Sequence, residues 1–257
     1  MSTKIKGIHV TEWGTDGPTV VLVHGGTPGG GVMSFAHQEA LSARWHLILP
    51  DRPGHGQTPA RGAGDFERDA HLLSPLLDQR AYLVGHSYGG LVALYLAAAH
   101  PDTAASLTLI EPPAFCFATG DPEADEMARE LRRNAEDPDD DPAVVMRTFF
   151  SLVGLGVELP DPLPDAFLPI AEQFKADITT MRSPDEANVT ADELIKGGYP
   201  ILLLTSGNIA GFEHVAAAIA RQTGGTHVVV PGTVHAVQDD GEQVNPLLEE
   251  LWSGVPE

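Results

Sequence analysis

Residues 81–91 read Ala-Tyr-Leu-Val-Gly-His-Ser-Tyr-Gly-Gly-Leu, and this stretch decides the predicted fold. An apolar strand ends at Val84, and a helical pattern begins at Tyr88. Between them, Gly85–Gly89 matches the pattern G-x-S-x-G. A strand-to-helix turn this sharp forces its central residue into strained dihedral angles and projects that side chain from the top of the sheet. The stretch therefore predicts a serine nucleophile at Ser87, with a serine in an ordinary turn as the alternative.

On either side of this turn, short apolar strands alternate with helical patterns. The strands lack a polar/apolar alternation, which is typical of strands covered on both faces of a parallel sheet. The predicted strands are Thr19–Val23, His46–Leu49, Ala81–Val84, Ser106–Ile110, Ile201–Leu204 and His227–Val230, with Lys4–Trp13 as an antiparallel edge strand. The predicted helices are about Val32–Ser42, Asp65–Asp78, Tyr88–His100 and Phe212–Gln222. This alternation predicts a doubly wound α/β sheet.

The stretch from about Pro112 to Tyr199 interrupts the alternation with helical patterns and no convincing strand. One helical face is formed by residues that step by four, three, four and three, namely Phe167, Ala171, Phe174, Ile178 and Met181. We therefore expect a helical cap over residues 112–199, inserted into a core domain of residues 1–111 and 200–257. The aromatic residues of the insertion either line a substrate pocket or pack its own helices; they are Phe115, Phe117, Phe149, Phe150 and Phe174.

Composition excludes several functional classes. The chain has 257 residues, of which 15 are lysine or arginine and 36 are aspartate or glutamate, so the formal net charge is −21. This acidic balance argues against a nucleic-acid binder and against docking on anionic membranes, because both need a basic surface. The single cysteine, Cys116, excludes an intramolecular disulfide and a cysteine-rich zinc site. The longest apolar run is Leu91–Ala99 and the first residues contain no apolar targeting region, so we expect a soluble, cytoplasmic protein without nucleic-acid or membrane partners.

Four motifs, in this order, resemble those of the α/β-hydrolase superfamily. They are His24-Gly25-Gly26, Asp51-Arg52-Pro53-Gly54-His55-Gly56, Gly85-His86-Ser87-Tyr88-Gly89 and Gly232-Thr233-Val234-His235, each after a predicted strand. The resemblance covers nearly the whole chain. It implies an α/β-hydrolase fold with a mostly parallel sheet of about eight strands, and an esterase-like member with a serine nucleophile.

The base that activates the nucleophile is predicted to be His235. Serine is a poor nucleophile until a base takes its proton, and the chain has eleven histidines. His235 lies in the loop after the last apolar strand, and such loops collect at the carboxyl edge of the sheet, where Ser87 is also expected. His86 flanks the nucleophile but projects elsewhere, because neighbours on a tight turn diverge. His24 and His55 are expected to hold their glycine-rich loops by hydrogen bonds. A structural loop histidine is the alternative for His235.

An acyl-transfer intermediate carries an oxyanion that needs fixed hydrogen-bond donors. The backbone N–H of Tyr88, directly after the nucleophile, is one predicted donor. The other is the N–H of Gly26, with Thr27 as a near alternative. The glycines of this loop also permit a tight turn, and such a turn exposes the N–H groups that the chemistry requires.

The acid that orients the base departs from the common pattern of the superfamily. That pattern places an aspartate in the loop after the penultimate strand, but here the loop at residues 205–211 contains no carboxylate, and Asn208 stands about where the aspartate is usual. An asparagine cannot supply the negative charge that offsets imidazolium formation. Glu111 directly follows the strand that comes after the nucleophile, and some members of the superfamily, including certain haloalkane dehalogenases, place their acid there. Glu111 is therefore the predicted acid, with a surface glutamate that bonds nearby amides as the alternative.

Together these residues predict a serine hydrolase that cleaves a carboxylic ester, thioester or lactone through an acyl-enzyme. No metal or organic cofactor is called for. The expected partner is a small-molecule substrate with an apolar acyl group. The alternatives are a C–C bond hydrolase with the same triad and a non-catalytic small-molecule-binding protein on a hydrolase fold.

Overall fold

The computed structural model describes residues 5–136 and 141–255, and within them seven strands form one sheet. The strands are β1 (Val10–Trp13), β2 (Thr19–Val23), β3 (His46–Pro50), β4 (Ala81–His86), β5 (Ala104–Ile110), β6 (Ile201–Thr205) and β7 (Thr226–Val229). Their order across the sheet is β1-β3-β2-β4-β5-β6-β7, with β1 antiparallel to β3 and every other pair parallel. The predicted doubly wound, mostly parallel α/β fold is confirmed. The edge strand expected over Lys4–Trp13 is shorter in the structure: β1 begins at Val10, and residues 5–9 form a turn with an isolated bridge between Ile5 and Ile8. Lys4 itself lies outside the described residues.

Helices cover both faces of the sheet. They are α1 (Gly30–Ser34), α2 (Phe66–Leu73), α3 (Tyr88–Ala99), α4 (Pro122–Glu136), α5 (Pro142–Leu152), α6 (Leu168–Thr180), α7 (Ala191–Ile195), α8 (Ala210–Thr223) and α9 (Gly241–Ser253). Short 3₁₀ helices lie at Ala36–Ala43, Ser74–Leu77, Phe115–Ala118, Asp165–Phe167, Pro184–Glu186 and Val237–Asp239. Across the described ranges, no helix has both the length and the apolar character that a bilayer span needs.

Successive residues of each strand supply two separate cores, because neighbouring side chains on a strand point to opposite faces. On β2, Val21 and Val23 pack with the face covered by α2, α3 and α8, whereas Val20 and Leu22 pack with the face covered by α9. Every residue of β5 is buried. Apolar residues on both faces explain why these strands show no polar/apolar alternation in the sequence.

Further local predictions differ from the structure. The helix expected over Asp65–Asp78 is α-helical only to Leu73 and continues as a 3₁₀ helix over Ser74–Leu77. The helix expected over Val32–Ser42 is divided at Phe35, where φ is −122° and ψ is 25°, outside helical values, so that α1 stops and a 3₁₀ helix follows. The apolar face expected along α6 is only partly buried: Ala171 and Ile178 are buried, but Phe167 is 47% exposed.

Between β5 and β6 the described residues contain helices and no strand. Of the aromatic residues in this insertion, Phe115 and Phe117 join the core beside α8, and the rings of Phe149 and Phe150 lie 5.1 and 6.0 Å from that of Phe174. Phe149, Phe150 and Phe174 therefore pack the insertion's own helices, which is the second of the two uses that the sequence allowed. Phe115 and Phe117 instead pack beside α8, which lies outside the insertion. The division into a core and a cap of residues 112–199 stays a prediction.

The sheet topology brings the predicted functional residues to one edge, because parallel strands share their carboxyl ends. The residues at or after these ends are His24 after β2, Asp51 after β3, Ser87 after β4, Glu111 after β5, Ser206 after β6 and His235 beyond β7. This edge is the usual position of ligand sites in open α/β sheets.

We expect Gly89→Ala to destabilise the fold. A Cβ at Gly89 would lie 2.3 Å from the carbonyl oxygens of Val23 and His24, which are backbone atoms and cannot move cheaply. The clash should lower the free energy of unfolding by about 3 kcal/mol or more, as measured by urea denaturation. Gly26→Ala is the matched control, because a Cβ there meets no atom within 4 Å. Equal stability of the two variants would contradict this packing.

Candidate active site

Ser87 sits at the sharp turn between β4 and α3. Its φ of 52° and ψ of −127° lie in a region that non-glycine residues rarely adopt. The turn is held by the Ser87 N–H, which donates to the Ile110 carbonyl at 2.8 Å. A Cβ at Gly85 would lie 2.5 Å from the Gly89 carbonyl oxygen, so the turn requires glycine on both sides of the serine. Surrounding structure thus stabilises a strained backbone that presents one partly exposed hydroxyl.

His235 meets that hydroxyl. Its Nε2 lies 2.9 Å from Ser87 Oγ, although the two residues are 148 positions apart in the chain. The imidazole is buried, and the ring of Phe212 stacks on it with centroids 4.9 Å apart and an interplanar angle of 23°. The His235 backbone N–H donates to the Gly154 carbonyl at 3.0 Å. Ring stacking and this backbone contact fix the imidazole beside Ser87.

Glu111 completes the contact chain on the far side of the imidazole. Its Oε2 lies 3.0 Å from His235 Nδ1, and its side chain is fully buried. Its Oε1 accepts hydrogen bonds from both the N–H and the hydroxyl of Ser206, each at 2.7 Å. Like Ser87, Glu111 has a positive φ, at 44°. Three donors therefore surround a carboxylate aimed at the histidine.

Asn208, at the position where the superfamily commonly has its acid, has a different contact. Its side-chain Nδ2 donates to the Thr233 carbonyl at 2.6 Å, so it ties down the loop that carries His235. Its backbone N–H donates to Ser206 Oγ at 3.3 Å. Asn208 thus binds the backbone of Thr233, two residues before His235, whereas Glu111 contacts the imidazole ring itself.

The predicted oxyanion donors lie beside the serine. Tyr88 is the first residue of α3, where a backbone N–H has no acceptor in a preceding helical turn. The Gly25–Gly26 segment passes close to the nucleophile, since a Cβ at Gly25 would lie 2.9 Å from Ser87 Cβ. A Cβ at Gly26 would meet no atom within 4 Å, so that side of the residue is open. The roles of Gly26, Tyr88 and the near alternative Thr27 stay predictions.

The other histidines near this edge have structural contacts. His24 Nδ1 donates to the Gly25 carbonyl at 2.8 Å, and its Nε2 accepts from the Arg52 N–H at 2.9 Å. His86 Nε2 donates to the His235 carbonyl at 3.1 Å. Burial lowers the pKa of His24 well below its ordinary value and that of His86 to about 3. Both rings therefore stay neutral at neutral pH and hold loops by hydrogen bonds.

The amino-acid sequence of the chain matches that of a known protein family. A family model described as the alpha/beta hydrolase fold matches residues 18–241. The chain belongs to the α/β-hydrolase family.

Individual α/β hydrolases resemble the chain over shorter stretches. It is 43% identical over 94 residues to a pimeloyl-[acyl-carrier protein] methyl ester esterase from Chromobacterium violaceum, covering 37% of each chain. It is 37% identical over 111 residues to lipase LipV from Mycobacterium tuberculosis, covering 41% of each. The match thus spans less than half the length of these relatives. A solved esterase from Thermogutta terrifontis superposes with a TM-score of 0.64 at 22% identity, covering 95% of this chain and 93% of that one, which shows the shared fold.

Sequence reasoning missed two residues that support the site of this α/β hydrolase. Ser206 holds Glu111, and Phe212 stacks on His235. Ser206 directly follows β6, so its place at the carboxyl edge was a usable signal. Phe212 lies in a segment whose sequence shows only a helical pattern, and nothing in that pattern indicates that its ring stacks on His235, 23 residues further along the chain.

The burial of His86 predicts that acid destabilises the folded protein. In the unfolded chain His86 has a pKa of about 6.5, and in the folded protein burial lowers it to about 3. Above about pH 6.5 the ring is neutral in both states. Between about pH 6.5 and 3 only the unfolded chain binds the proton, so acid favours unfolding. At pH 4.5 this difference lowers the free energy of unfolding by about 2–3 kcal/mol. His86→Gln, whose amide still donates, should therefore lose less stability between pH 7.5 and 4.5 in urea titrations. The exposed control His71→Gln should lose as much stability as the wild type over this pH range. If His86→Gln lost as much as the wild type, or if His71→Gln were protected to the same degree as His86→Gln, the buried His86 would not be the source of the acid sensitivity.

Proposed function

We propose that this chain is a serine hydrolase that cleaves a carboxylic ester, thioester or lactone through an acyl-enzyme. Ser87 acts as nucleophile, His235 as general base and acid, and Glu111 as the carboxylate that orients and stabilises the imidazolium. The observation that carries the proposal is the continuous contact chain from Ser87 Oγ to His235 Nε2 at 2.9 Å and from His235 Nδ1 to Glu111 Oε2 at 3.0 Å.

The reaction follows from these positions. His235 Nε2 takes the Ser87 proton as Oγ attacks the carbonyl carbon, and the N–H groups of Gly26 and Tyr88 stabilise the oxyanion. The imidazolium then protonates the leaving oxygen or sulfur, the carbonyl re-forms, and an ester on Ser87 remains. His235 next takes a proton from a water molecule as it attacks that ester. The imidazolium then returns the proton to Ser87 Oγ as the acyl–oxygen bond breaks, which releases the carboxylic acid and restores both residues. Glu111 stays ionised throughout and offsets the positive charge on the ring.

Charge and packing favour an uncharged small ester as the substrate. The formal net charge of −21 repels polyanionic substrates such as CoA esters. Four of the five arginines between β5 and β6 pair with carboxylates of the same chain: Arg129 with Glu126, Arg132 with Asp185, Arg147 with Asp161 and Arg182 with Glu67. The fifth, Arg133, is exposed. The names of the esterase and lipase relatives agree with an ester as the substrate class.

A substrate series tests the proposal. The purified protein is assayed with p-nitrophenyl esters of increasing chain length, with lactones and with vinylogous ketones, alongside Ser87→Ala. Turnover of esters or lactones that is lost in Ser87→Ala supports the proposal. Turnover confined to the ketones would replace it with C–C bond hydrolysis, and saturable binding without turnover of any compound would replace it with a binding protein.

A further inference from the structure

Arg52 is a buried cation that the proposed reaction steps do not use. It follows β3, its residue is 3% exposed, and its Nε lies 3.1 Å from Oδ2 of Asp69, which is 1% exposed. Burying an ion pair costs desolvation energy that its attraction repays only when the geometry is good, so such a pair is a weak source of stability. Among the described residues, Oδ1 of Asp69 has no hydrogen-bond partner. The pair is therefore poorly explained by stability alone.

The guanidinium contacts the loop that carries a predicted oxyanion donor. Arg52 Nη1 donates to the Gly25 carbonyl at 2.9 Å and lies 3.4 Å from the His24 carbonyl. The same Gly25 carbonyl also accepts from His24 Nδ1 at 2.8 Å. That histidine is fixed in its tautomer, because its Nε2 accepts the Arg52 backbone N–H. One charged and one neutral donor thus converge on a single carbonyl oxygen.

The other end of that peptide group is the N–H of Gly26. The Gly25–Gly26 peptide bond is trans, so its N–H points away from its carbonyl. Donors at the carbonyl oxygen increase the polarisation of the peptide and strengthen the hydrogen bond that its N–H gives. Arg52 and His24 therefore fix the direction of the Gly26 N–H and make it a stronger donor.

The same guanidinium also contacts the residue that carries the second predicted donor. Arg52 Cζ lies 4.6 Å from the centroid of the Tyr88 ring, and the tyrosine is 5% exposed. Cation–π contacts of this kind strengthen when the groups are desolvated. Arg52 thus contacts the peptide group that carries one predicted donor and the side chain of the residue that carries the other, while it pairs with Asp69 on α2.

We propose that Arg52 is a positioning residue that aligns and polarises the oxyanion site through the Gly25–Gly26 peptide and the Tyr88 ring. This inference rests on the proposed function, because it concerns stabilisation of the negative charge formed during acyl transfer. The role follows from geometry. The guanidinium lies on the carbonyl side of the Gly25–Gly26 peptide, so it acts on the Gly26 N–H through the peptide group without contacting the substrate.

The test measures the stability of an oxyanion directly. A ¹³C-labelled trifluoromethyl ketone forms a hemiketal on the nucleophilic serine, and NMR titration gives the pKa of the hemiketal hydroxyl. In Arg52→Met that pKa should rise by about one unit or more relative to wild type, since one unit corresponds to a tenfold change in oxyanion stability. In the same variant, kcat for the best p-nitrophenyl ester should fall roughly 10- to 100-fold, less than the loss of a whole oxyanion donor, with KM changed less than about threefold. Arg52→Lys, which keeps the charge but loses the planar fork, should fall between wild type and Arg52→Met.

The controls separate positioning from folding. Arg44→Met removes an exposed guanidinium that pairs with Glu249 and should leave both readouts unchanged. Asp69→Asn removes the countercharge but leaves the cation, so the hemiketal pKa should stay level or fall. If Arg52 had a purely structural role, Arg52→Met would lower stability and kcat without moving the hemiketal pKa.

Each outcome bears on a distinct claim. A folded Arg52→Met with wild-type hemiketal pKa and kcat overturns the inference and leaves the proposed function standing. If Arg52→Met fails to fold, Arg52→Lys and Asp69→Asn carry the test, and a raised hemiketal pKa in Asp69→Asn overturns the inference. A wild-type protein that forms no hemiketal and cleaves no ester overturns both.

Discussion

Ser87→Ala is expected to reduce kcat for ester hydrolysis by a factor of roughly 10⁵–10⁶, the loss found when a triad nucleophile is removed. The hydroxyl lies 2.9 Å from the only histidine ring nitrogen that contacts it in the described part of the chain, and alanine leaves no atom to form the acyl-enzyme. Folding should be preserved, because alanine keeps the Cβ and all backbone contacts of the turn. Steady-state kinetics with the best p-nitrophenyl ester, together with Tm, measure this.

Ser253→Ala serves as the matched control, since Ser253 is an exposed serine at the end of α9. Its kcat should equal that of the wild type. If Ser87→Ala retained more than a few per cent of wild-type kcat, with the variant freed of any contaminating esterase, the nucleophile would have to be another residue.

Glu111→Gln is expected to reduce kcat by roughly 10⁴-fold, the effect of neutralising the acid of a triad. A glutamine can still accept from Ser206 through its amide oxygen, so the local packing survives. It cannot offset the positive charge on His235, and an amide nitrogen facing Nδ1 would favour the wrong tautomer. The measurement is kcat and KM across pH 5–9, since loss of the carboxylate should change kcat far more than KM.

Asn208→Ala is the contrast, because it occupies the position where the acid is usual. Its side chain bonds the Thr233 carbonyl and not the imidazole, so its removal loses one neutral hydrogen bond and should cost less than about tenfold in kcat. The reverse ranking, with Asn208→Ala more damaging than Glu111→Gln, would refute Glu111 as the acid.

Much of the fold follows from local sequence patterns. The strands are short and apolar because both faces of the sheet are covered, and the turn around Ser87 requires glycines whose spacing is visible in the sequence. The neighbouring positions of Ser87, Glu111 and His235 follow from one rule, namely that loops after parallel strands meet at one edge. That rule predicted Glu111 as the acid despite the missing aspartate near Asn208.

Other features depend on contacts between distant residues, which no local pattern shows. The stacking of Phe212 on His235 and the bonds from Arg52 to Gly25 arise only when the elements are packed. The break at Phe35 is another such case, since the residues around it keep a helical spacing while the backbone leaves helical values. The insertion aromatics, exemplified by Phe174, showed the same ambiguity, because a ring that lines a pocket and a ring that packs a helix have the same spacing.

Labelling with an active-site fluorophosphonate tests most directly whether Ser87, His235 and Glu111 work as one relay. The intact protein should gain one adduct, peptide mapping should place it on Ser87, and the second-order rate of labelling should fall by orders of magnitude in both His235→Ala and Glu111→Gln. An adduct on a different residue, or labelling of Ser87 at the wild-type rate in the folded Glu111→Gln variant, would contradict the account.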